Sequence, residues 1–222
     1  MKQELTIIVG ASRGIGLELC RVHSEDAATL VGTAREESSE LSTLVDEAWL
    51  PVDVTSPGLE ETLSTHLRER AIDRLIISAG ILESDGLEDA SLEAIRRQFE
   101  VNTLGALRCA YHLHRQVKPG GIIAFITSRM GSISDNTSGG YYGYRISKAA
   151  LNAGAKSLAI DLKSKEIKVA ILHPGFVKTD MTNGQGFIDP GTSAAMLKDQ
   201  IDSWKIEDTG HFRHASGEKL PW

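Results

Sequence analysis

Short apolar runs alternate with stretches that carry apolar residues at helical spacing along most of this chain. Residues 5–9, 28–34, 49–53, 74–78, 122–126 and 167–172 read as strands, rich in Ile, Val and Leu. Residues 15–24, 36–46, 58–70, 92–118 and 143–162 read as helices between them. Pro119-Gly120-Gly121 stops the long fourth helix, and a polar, glycine-rich loop at 131–140 precedes the fifth. The strands are apolar on both faces, which predicts a parallel sheet covered by helices on both sides. Right-handed crossovers then give a three-layer, doubly wound α/β fold. A short edge strand at 211–214 would bring the sheet to about seven strands, mostly parallel, with residues 220–222 packed behind it. No linker or repeat interrupts the pattern, so residues 1–222 are expected to form one domain.

Composition narrows the function. Of 222 residues, 41% are hydrophobic and 24% charged, enough for a large core in a water-soluble domain. The formal net charge of −6 disfavours nucleic acid and anionic membrane surfaces as partners. Two widely spaced cysteines, Cys20 and Cys109, suit free thiols in a reducing compartment. No apolar run has the length of a membrane span or signal segment, so a cytoplasmic protein is expected.

The candidate chemistry sits at the ends of strands. Gly10-Ala11-Ser12-Arg13-Gly14-Ile15-Gly16 lies between a strand and a helix. Such a loop turns tightly and lets backbone approach a pyrophosphate at the helix N-terminus. The second strand ends in Ala34-Arg35, without the acidic residue that would bind a ribose 2′-hydroxyl. Arg35 and Arg13 instead suit a 2′-phosphate, pointing to NADP over NAD, although Glu36 and Glu37 weaken the local field. Asp53-Val54 ends the third strand, where the aspartate can accept from an adenine amino group or cap the turn that follows. Ala79 and Gly80, after the fourth strand, permit close approach of the cofactor. Pro174-Gly175 fixes a turn after the sixth strand, with Val177 and Thr179 expected on the nicotinamide side.

Tyr144 and Lys148 stand four apart on one helix face, so the ammonium can lie under the phenol ring and lower its pKa. Ser128 upstream offers a hydroxyl to hold a carbonyl oxygen. Asn102 and Gly105 are poor formers in mid-helix and predict a kink that frees a carbonyl for a water linked to Lys148. Met130, Ile133, Tyr141, Phe176 and Met181 suggest an apolar substrate pocket, with residues 181–188 as a small lid. The histidines show no metal spacing; His112 and His114 point to different sides of their helix, and no metal is assigned.

These residues, in this order, closely resemble the short-chain dehydrogenase/reductase family over nearly the whole chain. The stretch 128–144 and the ending Lys219-Leu220-Pro221-Trp222 are similar to its C-factor-like and sniffer-type carbonyl reductase subgroup. The resemblance implies a Rossmann domain whose substrate site is formed by loops 128–144 and 175–190. It implies an NADPH-dependent reduction of an aldehyde or ketone, with Tyr144 as general acid/base, Ser128 holding the carbonyl, Lys148 tuning Tyr144 and holding the ribose, and Asn102 anchoring a water. It also implies a homodimer or tetramer, paired through the helices near Ala106 and Ala153. Three departures stand out: Val9 in place of threonine, Ile77-Ser78 in place of paired asparagines, and a long interval between Ser128 and Tyr144. The subgroup leaves open a signalling protein that binds NADP with little turnover, and the fold leaves open an epimerase or dehydratase.

Overall fold

A computed structural model describes residues 4–222; Met1 to Gln3, where the chain was expected to run straight into the first strand, lie outside the described residues. Seven parallel strands form one sheet in the order β3-β2-β1-β4-β5-β6-β7. They are β1 (Leu5–Val9), β2 (Thr29–Thr33), β3 (Glu47–Trp49), β4 (Ile72–Ile77), β5 (Val117–Ile126), β6 (Lys168–His173) and β7 (Phe212–His214). The helices are α1 (Gly14–His23), α2 (Ser39–Leu44), α3 (Leu59–Leu67), α4 (Leu92–Phe99), α5 (Ala106–Leu113), α6 (Tyr142–Lys163) and α7 (Pro190–Ser203).

Successive side chains of each strand point to opposite layers. Ile7, Val9, Ile123, Phe125, Val169 and Ile171 enter a core shared with α3, α5 and α6. Ile8, Ile122, Ala124, Ala170 and Leu172 enter a second core under α1, α2 and α7. Burying a large apolar side chain contributes about 1.5–3 kcal/mol, which explains the unbroken apolar runs Ile7–Val9, Leu75–Ile77, Ile122–Ile126 and Val169–Leu172 in the central strands. Strand order reverses between β1 and β4, and a crevice opens there at the carboxyl ends of the strands.

The structure departs from the sequence reading in four places. The stretch 92–118 is not one helix: a π-helical segment, Glu100–Gly105, separates α4 from α5, and the helical path ends with the short 3₁₀ turn His114–Gln116. Chain after it is already strand, because Val117 pairs with Ile72. Pro119-Gly120-Gly121 is therefore an excursion within β5, over which the register passes from Ile72–Val117 to Arg74–Ile122. Strand β3 lies at Glu47–Trp49, ahead of the expected 49–53. Helix α7 was not anticipated, although Asp189 caps Thr192 N–H and Pro190 occupies the first turn, a standard start signal. The expected edge strand is β7, and the tail behind it packs through Leu220 and a stack of Trp222 on Phe212.

His23 at the end of α1 is completely buried, and neither ring nitrogen has a hydrogen-bond partner. Burial, helped by the Arg74 and Lys198 cations and opposed by Asp202 and Asp26, lowers its pKa from 6.5 to about 4. The folded state therefore binds this proton less well than the unfolded chain. Its stability is undiminished above pH 6.5 and is lost as pH falls towards 4. His23→Leu removes that loss: between pH 7.5 and 5, urea unfolding should show the variant gaining about 2 kcal/mol on the unaltered protein.

Candidate active site

A cleft of about 940 Å³ follows the carboxyl edge of the sheet from Arg35 to the loops after β5 and β6. One end is the glycine loop. Gly10 has φ +81°, and a Cβ there would lie 2.6 Å from the Ala79 backbone. At Gly16 a Cβ would lie 2.0 Å from the Gly10 carbonyl oxygen, so α1 starts hard against the loop. Arg13 at the N-cap of α1 makes no side-chain cap, which leaves the first-turn N–H groups around Gly14 and Ile15 open to a ligand. Ser12 lines the same wall and is exposed. The hydroxyl of Thr33, on the neighbouring strand, accepts from Gly10 N–H at 3.3 Å and provides the hydrogen bond that Val9 lacks the group to make.

Arg13 and Arg35 are both exposed and both line the cleft. Arg13 also faces Asp180 across the opening, at 3.9 Å. Asp53 is engaged locally: Oδ1 accepts from both Thr55 N–H and Thr55 Oγ1, each at 2.8 Å. Those bonds, with Arg35 nearby, hold its carboxyl below the usual range. Its turn-capping role is thus present alongside its place in the cleft wall with Val54. Ala79, Gly80, Pro174, Gly175, Val177 and Thr179 also line the cleft; a Cβ at Gly80 would lie 3.5 Å from Lys148 Nζ, and one at Gly14 3.7 Å from the Thr179 methyl.

Ser128, Tyr144 and Lys148 come together at the other end, 6%, 7% and 4% exposed. Lys148 Nζ donates to the Ile126 carbonyl at 3.1 Å and lies 5.8 Å from the centre of the Tyr144 ring, as the four-residue spacing requires. The sequence-based expectation of a lowered phenol pKa is corrected here. Burial dominates and pushes Tyr144 up to about 12, against a hydrogen bond with Ser128 that pulls it down. Burial likewise lowers Lys148 to about 8. Tyr144 is therefore protonated throughout the neutral range.

Asn102 does not line the cleft. It is fully buried behind it, in the π segment where a kink was expected. Its side chain bonds both Ile81 N–H (2.8 Å) and Ile81 C=O (2.9 Å), and Nδ2 donates to Ser147 Oγ at 3.0 Å. It thereby ties the loop after β4 to α6, replacing part of the bracing that Ile77-Ser78 cannot give.

The long interval between Ser128 and Tyr144 bulges as a loop and returns the two hydroxyls to each other. Met130, Tyr141, Phe176 and Met181 line the cleft, whereas Ile133 is 81% exposed and stands outside its wall. Ile133 is turned outward where Ser134 N–H and Oγ bond the Trp222 carbonyl, at 3.0 and 2.7 Å. Tyr141 has φ +52°, a conformation costing a non-glycine residue about 1 kcal/mol or more. Asp85 holds it. Its carbonyl accepts from Tyr141 N–H, and its carboxylate accepts from Tyr142 and Gly143 N–H at the start of α6. Sequence reading passed over Asp85, because it caps a helix more than fifty residues away. The lid region folds as the turn Asp180–Thr182, with Val177 bridged to Ile188. His173 lines the cleft, but burial and then His214 lower its pKa to about 3, so it stays neutral, consistent with a strand-end residue.

Comparisons with known proteins agree with this fold. The chain is 35% identical to 1-hydroxy-2-glutathionyl-2-methyl-3-butene dehydrogenase of Rhodococcus sp., covering 97% of this chain and 98% of that protein. It is 35% identical to the C-signal of Myxococcus xanthus, over 72% of this chain and 98% of that one. Carbonyl reductase Sniffer of D. melanogaster superposes with a TM-score of 0.88 at 26% identity, each chain covered completely. A Pseudomonas aeruginosa carbonyl reductase in complex with NADP superposes with a TM-score of 0.83 at 30% identity, covering 99% of this chain and all of that one. A family model described as short chain dehydrogenase matches residues 4–186, and with the relatives above it shows that this chain belongs to the short-chain dehydrogenase/reductase family of oxidoreductases.

Proposed function

We propose that this protein is an NADPH-dependent carbonyl reductase that converts an aldehyde or ketone to an alcohol. The observation that carries the reading is the meeting of Ser128, Tyr144 and Lys148 at one end of a cleft whose other end is the glycine loop. The cleft suits a nicotinamide dinucleotide. Backbone stands at Gly10 and Gly16 where side chains would collide, and the start of α1 offers uncapped N–H groups to phosphates. Arg13 and Arg35 match a 2′-phosphate, and the P. aeruginosa relative was solved with NADP. When bound, the cofactor supplies the hydride.

The protein's own groups do the rest. Ser128 and Tyr144 present two hydroxyls to the substrate oxygen. Tyr144, kept protonated by burial, gives its proton to that oxygen as the alcohol forms. Lys148 holds a positive charge beneath the ring and, with a pKa of about 8, exchanges protons readily near neutrality. Asn102 works from behind by fixing the loop after β4, and the carbonyl expected to hold a water for the relay belongs to its π segment. A protonated phenol favours reduction over oxidation; the Rhodococcus relative is named for a dehydrogenase. A homodimer or tetramer remains our expectation. Exposed Leu92, Tyr111, Ile146 and Ile160 on α4, α5 and α6 favour pairing through these helices, on which Ala153 is exposed and Ala106 itself is buried.

A second reading, a cofactor-binding regulatory protein with incidental turnover, rests on the likeness to the C-signal. Assay of NADPH and NADH oxidation with aldehydes, ketones and quinones separates the two: binding without reduction of any carbonyl favours the second. Under the first, Tyr144→Phe keeps NADPH affinity and lowers kcat by about a hundredfold or more, and full activity in that variant overturns it. Arg13→Ala with Arg35→Ala raises the KM for NADPH by about tenfold and leaves that for NADH nearly unchanged. The reductive rate falls as pH rises through about 8, where Lys148 loses its proton.

A further inference from the structure

Arg145 follows the active-site tyrosine and lines the substrate end of the cleft, half-buried. We propose that Arg145 recognises a carboxylate on the substrate, so that the natural substrate is a carbonyl compound bearing an acidic group. The inference rests on the reductase reading for its turnover measurements and on geometry for the rest.

The guanidinium has five N–H donors. Nε donates to the Gly140 carbonyl at 3.1 Å, and Nη2 to Ser138 Oγ at 2.9 Å and the Gly139 carbonyl at 3.3 Å. Nη1 has one long contact, 3.5 Å to the carbonyl of Met130, a residue of the cleft wall. One Nη1 donor is thus unused and the other weakly held. All four acceptors are neutral, so the bonds fix the group in place without cancelling its charge. Among the described residues no carboxylate pairs with Arg145, whereas Arg129 beside it is paired with Asp135 and Arg13 faces Asp180. Acids nearby are committed elsewhere: Asp85 to the backbone of α6, and Glu83 to Arg97. Lys148 is spent on Ile126 and the phenol. A fixed, uncompensated guanidinium with a free donor, in the wall of the cleft that also holds Ser128 and Tyr144, is the setting in which a carboxylate binds by a charge-assisted hydrogen bond.

The rival explanation is that Arg145 only braces loop 130–140. The test compares 4-carboxybenzaldehyde with its neutral methyl ester, using NADPH, in the unaltered protein, Arg145→Lys and Arg145→Gln. The readout is the ratio of kcat/KM for acid over ester, in which general damage to the site cancels. Expected is a ratio of about ten or more, kept largely by lysine, lost with glutamine, and reduced by added salt. A ratio near one in the unaltered protein overturns the inference while leaving the reductase intact. Equal loss for both substrates in both variants also overturns it, in favour of bracing. If neither aldehyde is reduced, titration of the NADPH-loaded protein with benzoate and benzamide decides. Benzoate binding that weakens about tenfold in Arg145→Gln, with benzamide unaffected, supports the inference; equal binding refutes it.

Discussion

Helix α6 lies against the short turn Arg129–Gly131 that follows β5 so closely that a methyl group at Gly131 would come within 2.7 Å of the Lys148 backbone carbonyl carbon. The site depends on this approach. It places Ser128, which starts the short turn Arg129–Gly131, against the first turns of the helix that carries Tyr144 and Lys148. It also takes both titrating side chains out of water. A larger residue at 131 would part helix and turn, re-solvate the phenol and ammonium, and open the hydroxyl pair together. The start of α6 is held from the other side by Asp85, so the helix is fixed at two points along its first turns.

Desolvation then decides the protonation states. A lysine four residues after a tyrosine argues, from sequence, for a more acidic phenol. In the folded chain the ammonium stands over the ring and bonds Ile126, and the cost of burying a phenolate outweighs the attraction. The result is a neutral acid beside a lysine that is itself easier to deprotonate than in water. That pair suits delivery of a proton to an alkoxide better than removal of one from an alcohol.

Much of this was legible in the chain. The glycine loop, the strand-end positions and the Tyr144–Lys148 spacing are local patterns, and each fell on the cleft. The apolar strands gave the sheet because a strand buried on both faces has no freedom to be polar. What escaped was non-local or weakly patterned. Asp85 caps a helix from a distant loop, and the contacts of Arg145 form only when the loop before it folds around it. Val117 looked helical because its strand partner, Ile72, is remote in sequence. Helix α7 has few large apolar residues, so its weak periodicity hid it despite its start signal. Ile133 was placed in the pocket for its hydrophobicity, but the tail contact at Ser134 decided its direction.

The π segment between α4 and α5 sets the phase of everything after it. A π turn spends about one residue more than an α turn, and each α-helical residue advances the face by about 100°. Upstream, Ala94 and Gln98 are in phase with the buried side; downstream, Cys109, Ala110 and Leu113 are in phase with the core under the sheet. An unbroken α-helix would bring Gln98 and Cys109 to nearly the same face, so the extra residue turns the downstream stripe towards the core while Gln98 stays against Gly143 and Glu83. Deleting one residue from 100–105 would give a smoother helix and swing Asn102 away from Ile81 and Ser147. Homologues that gain or lose a residue there therefore differ in register, a distinction that a gap in an alignment would record as trivial.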